Sequence, residues 1–190
     1  MKLVKPAIGV AAAFALSLGQ STAHAATLDL GVFGAFERIT AGPDASLGIQ
    51  NNDHVTDALL LWGAAGAHYS SRLGFDGLGR LRNSSFVSVP IGTPFEIGQF
   101  NWRNGTPGDG TTNVNSLELV LSVYVDAQPL NDFRFGIDID NSIDEGKNGT
   151  PDRLKIFSNF GSYRFSNDGT AYDLDFLGFS FDDGKTLTGA

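Results

Sequence analysis

The chain contains no cysteine, only one methionine, and few basic residues. Without cysteine there are no disulfides, no thiol nucleophile and no zinc site built on thiolates. Stability must then come from packing or from a bound ion. Lys and Arg number 13 against 21 Asp and Glu, a net charge of −8. Such an excess of negative charge repels nucleic acid and anionic lipid, and neither is an expected partner. Helical periodicity is missing too: beyond the first residues, no stretch repeats apolar positions at i, i+3 and i+4. The apolar run Ala7–Gly19 has no long hydrophobic successor. A mature chain without a second such segment is not expected to insert into a membrane.

The N-terminus has a different character. Lys2 and Lys5 precede that apolar run, and Gln20 to Ala25 turn polar and small, ending in Ala23-His24-Ala25. Positive start, apolar middle and small-residue end are the three zones of an export leader, with cleavage expected after Ala25. The run is shorter than the roughly 18–20 residues that span a bilayer, which disfavours an uncleaved anchor. The expected division is a signal peptide at 1–25 and one domain at 26–190, long enough for a sizeable core. The protein is expected to be exported, to the cell surface or the medium, with the periplasm as the other destination.

What the chain does have is alternation. Leu117, Leu119, Leu121, Val123 and Val125 share one face of a strand over Ser116–Asp126, with Glu118, Val120, Ser122 and Tyr124 on the other. Phe133, Phe135, Ile137 and Ile139 alternate with Arg134, Gly136, Asp138 and Asp140 over Asp132–Asp140. The connection Ala127–Asn131 should make these an antiparallel hairpin with one buried face. Further strands are expected at 27–39, 56–62, 86–89, 95–101, 154–158, 162–165 and 171–181. Asn-Gly and Asp-Gly pairs punctuate them at 104–105, 109–110, 148–149 and 168–169. Many short strands with such turns predict an all-β, antiparallel β-sandwich of jelly-roll type, a closed barrel being the alternative.

Several fragments resemble the choice-of-anchor K domain, a family of exported bacterial proteins. They are Leu61-Trp62-Gly63, Ser71-Arg72-Leu73-Gly74-Phe75, Val89–Gly98, the strand at 116–126, Thr150-Pro151-Asp152, and Leu177-Gly178-Phe179. Members often carry a Thr-His-x-Asn signature and a PEP-CTERM sorting tail. Here the signature position reads Asn101-Trp102-Arg103-Asn104, and the chain ends at Thr188-Gly189-Ala190 without such a tail. The resemblance implies an exported β-sandwich and supplies no catalytic residue.

Two groups of residues could carry chemistry. Asp138, Asp140, Asn141, Ser142, Asp144 and Glu145 crowd the end of one strand and the loop after it, with Asp152 returning from the next. Carboxylate, amide and hydroxyl oxygens at alternating positions suit calcium, which takes six to eight such ligands. A solvated acidic turn is the competing reading, and the loop lacks the Gly and Glu positions of an EF-hand. If calcium binds, a chelator lowers the melting temperature, and Asp140→Ala with Asp144→Ala removes that dependence. Trp102 and Asn104, in a polar neighbourhood, are the candidates for contact with a sugar; packing of Trp102 over a sandwich edge competes. Trp62, beside Leu59, Leu60 and Leu61, is expected in the core. Glu37, Glu96, Glu118 and Glu145 are the only glutamates, and the sequence brings no two together as a glycosidase pair. His54 and His68 have no spacing that fixes a metal. The expectation is a non-catalytic domain of adhesion, matrix or envelope, whose partner is an extracellular polysaccharide or a surface protein. A carbohydrate-binding module is the second reading, and an enzyme acting on extracellular polysaccharide the third.

Overall fold

Apolar alternation of period 2 leaves each strand with one face to bury, and two sheets can bury those faces against each other. The computed structural model describes residues 8–17, 27–50, 58–64, 71–81, 85–103, 111–140, 153–157, 162–180 and 187–188, and takes this arrangement. The strands in chain order are β1 (Ile8–Ser17), β2 (Thr27–Ala41), β3 (Ala45–Gln50), β4 (Ala58–Ala64), β5 (Ser71–Gly77), β6 (Val87–Pro90) and β7 (Pro94–Arg103). There follow β8 (Val114–Val125), β9 (Gln128–Asp140), β10 (Arg153–Phe157), β11 (Ser162–Asn167), β12 (Thr170–Ser180) and β13 (Leu187–Thr188). A single helical turn, α1 (Leu78–Leu81), follows β5. The larger sheet runs β11-β12-β1-β7-β5-β4-β3, with β13 on β12; the smaller runs β10-β9-β8-β2-β6. Every pairing is antiparallel.

The sheets meet through aromatic rings. Phe135 of the smaller sheet contacts Phe176 and Phe179 of the larger, with ring centroids 5.1 and 5.9 Å apart. Phe133 meets Tyr163 edge to face at 5.5 Å. Phe75, on β5, is fully buried and contacts Phe100 at 5.3 Å. Its ring lies where a Cβ on Gly34 of the smaller sheet, or on Gly98 of its own sheet, would stand. Two glycines in facing layers thus make the space that one phenylalanine fills.

The β8–β9 hairpin forms as expected, but its turn does not. The expected connection at Ala127–Asn131 is replaced by a two-residue turn, Asp126-Ala127, with φ of 48° and 63°. Val125 pairs with Gln128, and the strand continues through Pro129. Proline is tolerated there because the pairing shifts between Val123 and Tyr124, leaving Leu130 as the extra residue of a bulge. Asp126 fits a left-handed position better than most residues, and its carboxylate is used: it accepts from the Asp29 amide at 3.2 Å and from Asn167 Nδ2 at 2.5 Å. Those partners belong to opposite sheets. Ala127 has no such compensation, since its Cβ is disfavoured at positive φ. Ala127→Gly is therefore expected to raise stability by about 0.5–1 kcal/mol, read as a higher denaturant midpoint at unchanged slope.

Four strands differ from the sequence expectation. β3, β5 and the two-residue β13 are additional strands, the first two interrupted by glycine (Gly48; Gly74). β1 consists of residues read from the sequence as the apolar run of a leader. In the whole chain it lies between β7 and β12, from Ile8 opposite Trp102 to Ser17 opposite Asp173.

Candidate functional site

The outer face of the smaller sheet carries a cluster of charged side chains beside Ala35 and Val120, which are fully buried there. On β2 and β8, Glu37 stands directly opposite Glu118. Like charges in that position repel, and a cation from the third strand resolves it. Arg134 of β9 donates through Nη1 to Glu37 at 2.8 Å and to Glu118 at 2.5 Å. Arg38 Nε adds a contact to Glu118 at 3.6 Å. Arg38 reaches it from a bulge in β2, at φ 49°. The hydrogen bond to Glu37, then that to Glu118, holds the Arg134 guanidinium above its usual pKa. Arg134→Met would remove the cation that bridges the two facing carboxylates, leaving Glu118 its longer contact to Arg38. The expected cost is about 0.5–1 kcal/mol, since the pair is part-exposed. The loss should shrink in molar salt, as screening weakens the repulsion; chemical denaturation at two salt concentrations checks it.

Along the same face, Ser122 donates to Asp132 at 2.7 Å across the β8–β9 pair. Phe33 and Tyr124 meet edge to face at 5.7 Å. Phe157 of β10 is 51% exposed, the most exposed large apolar side chain among the described residues. Its ring lies over Gly136, in the space a Cβ there would need. It thus covers bare backbone on one side and presents a ring to solvent on the other.

The residues singled out from sequence fall in different places. Asp138 and Asp140 are exposed at the end of β9 and stand opposite Lys155 and Arg153 of β10. Asn141, Ser142, Asp144, Glu145 and Asp152 lie outside the described residues, as does Asn104. Among the described residues, no three acidic or histidine side chains gather as a metal site. Trp102 stands opposite Leu73, on the same inward face of the larger sheet as Phe75 and Phe100. It is half-buried and packs against the core. Its indole Nε1 and that of Trp62 are buried without a hydrogen-bond partner. Trp62 is fully buried. Phe157 is the most exposed ring among the described residues, and alternation alone does not single it out.

A second ion pair lies on the larger sheet. Arg164 donates through Nε and Nη2 to the two carboxylate oxygens of Asp173, at 2.8 and 2.9 Å. This bidentate hydrogen bonding holds the Asp173 carboxyl below its usual pKa. A carboxyl lowered on folding adds stability above its unfolded pKa, and loses it as the pH falls through the folded value.

Comparison of the chain with protein-family models, curated proteins and solved structures gave no match. The resemblance to the choice-of-anchor K domain thus stands on its sequence fragments.

Proposed function

We propose that this is an exported, non-catalytic β-sandwich of the bacterial cell surface or matrix, and that the outer face of its smaller sheet is the contact surface. The leader-like first 25 residues and the choice-of-anchor fragments support export. The observation that carries the reading is the make-up of that face. Glu37 and Glu118 are paired there with Arg134 and, at longer range, Arg38, and Phe157 stands half-exposed on the same face. A recognition surface needs fixed polar groups and an apolar anchor. A hydrolytic pair needs carboxylates free to hold and release a proton. Glu37 and Glu118 instead share one guanidinium, which supports recognition over catalysis.

The experiment is co-sedimentation of the exported protein with the producing cell's envelope and exopolysaccharide fractions. The wild-type protein should sediment saturably. A Phe157→Ser and Arg134→Gln double variant should bind at least about tenfold more weakly, the loss of roughly one 1.4 kcal/mol contact, with folding checked by melting. Equal binding by the variant would overturn the choice of surface. Phe157 also favours a second reading, a carbohydrate-binding module, because an aromatic face stacks on the C–H face of a sugar. Competition by soluble glycans, with no effect of protease treatment of the fraction, would select that reading.

A further inference from the structure

The place of β1 in the larger sheet has a consequence if residues 1–25 are removed on export. β1 pairs antiparallel with β7 on one side and β12 on the other. β7 and β12 therefore run parallel to each other, about 10 Å apart, two inter-strand spacings. The other edge of β7 is taken by β5, and that of β12 by β11. Loss of β1 opens one edge on each wall and leaves a slot one strand wide through the middle of the sheet.

Three features keep that slot from closing as an ordinary pair. Direct contact of β7 with β12 would be a parallel pair in a fold whose pairings are otherwise antiparallel. Both walls are bulged at the same level. Ile97 is the extra residue on β7, between the partners of Ala12 and Ala13, and Leu177 is the extra residue on β12, between the partners of Ala13 and Phe14. Gly178 beside it takes φ 121°, which L side chains rarely adopt. The walls are also held by the core independently of β1. Phe176 and Phe179 of β12 contact Phe135 of the smaller sheet, and Phe100 of β7 contacts Phe75. Phe100 and Phe179 meet across the slot at 6.1 Å. Moving one wall inward by a strand's width would break these contacts. The same pair of rings limits the bulk of an incoming strand at that level, where the chain itself reads Val10-Ala11-Ala12.

We propose that the gap between β7 and β12 is a strand-acceptor site. In the processed protein it takes an extended, uncharged segment of about eight to ten residues from a partner polypeptide. The segment has small residues at its centre and runs antiparallel to both walls. It stands where residues 8–17 stand in the unprocessed chain. Two free edges supply main-chain hydrogen bonds on both sides of the donor, and the rings beneath set its size. This assignment rests on the reading of an export leader, and it names a protein strand as a partner of the exported molecule.

The test uses the protein as the cell exports it, with intact mass to establish where it begins. The probe is a labelled peptide of the sequence Ile8–Ser17, flanked by lysines for solubility. Its control carries Ala11→Pro and Ala13→Pro, which remove ladder donors while keeping the peptide apolar. The expected result is saturable one-to-one binding of the probe, at least tenfold weaker binding of the control, and slowed hydrogen exchange confined to 94–102 and 173–180. If the processed chain is recovered unfolded, the full chain with a protease site between Gly19 and Ala25 is cut after folding. The bound fragment should then exchange with labelled probe. Equal binding of the control overturns the site. So does slow exchange of both walls without peptide, or self-association through these strands, which would make a second copy the occupant. An exported protein that still begins at Met1 removes the leader reading itself, which the mass distinguishes from failure of the site.

Discussion

Phe75→Ala is expected to destabilise the protein by about 3–5 kcal/mol, the range for removing a buried aromatic ring. In a domain of this length each kcal/mol moves the melting temperature by about 2–4 °C, so the fall should be on the order of 10 °C. The reason lies in what the ring joins. Phe75 is fully buried, contacts Phe100, and occupies the space left by Gly34 in one sheet and Gly98 in the other. Its loss opens a cavity between layers held apart by other rings, including Phe135, Phe176 and Phe179. Those neighbours cannot collapse into it without breaking contacts of their own. A fall under about 1 kcal/mol, by urea or thermal unfolding, would mean that the layers close freely there.

Gly34→Ala tests the same junction from the other side. Its Cβ would overlap Phe75 Cδ1. With the ring confined also at Gly98, the expected cost is about 1–3 kcal/mol, although alanine suits a strand better than glycine does. In a Phe75→Leu background the smaller side chain leaves room for the added methyl group. The same Gly34→Ala change should then cost little, so the two substitutions couple by about 1 kcal/mol or more in a double-mutant cycle. Simple additivity would show that the glycine is not there to admit the ring.

Much of this architecture could be read from the chain, and the failures have physical causes. β9 alternates cleanly from Phe133 to Asp140 because one face is buried and the other polar, and that pattern survives in sequence. β8 keeps one continuous buried face although Val120 and Ser122 of its other face are buried too, and the alternation of β12 holds only up to the bulge at Leu177. β5 reads Ser71-Arg72-Leu73-Gly74-Phe75-Asp76-Gly77, and its two glycines give it the look of a loop in sequence. The residues of β1 read in sequence as the apolar run of a leader, because two lysines precede them and small polar residues follow. The turn has the largest consequence for the outer face. A connection at Ala127–Asn131 would set Glu118 against Asp140. The two-residue turn and the Leu130 bulge instead set it against Gly136, two positions from Arg134. The Glu37–Arg134–Glu118 cluster depends on that register, and Glu37 lies 97 positions from Arg134. Glu118 and Arg134 on the polar faces of one hairpin were the available signal. Phe157 reads in sequence as one more core phenylalanine, because only the pairing of β10 with β9 puts it over Gly136.

Hydrogen-exchange footprinting of the exported protein on its envelope or exopolysaccharide fraction tests the proposed contact surface most directly. The account predicts slowed exchange in the outward strands of the smaller sheet, over 31–37, 118–124, 132–138 and 153–157, with no breakdown of the polymer. Protection confined to the larger sheet, or release of cleaved polymer that Glu118→Gln abolishes, would contradict it.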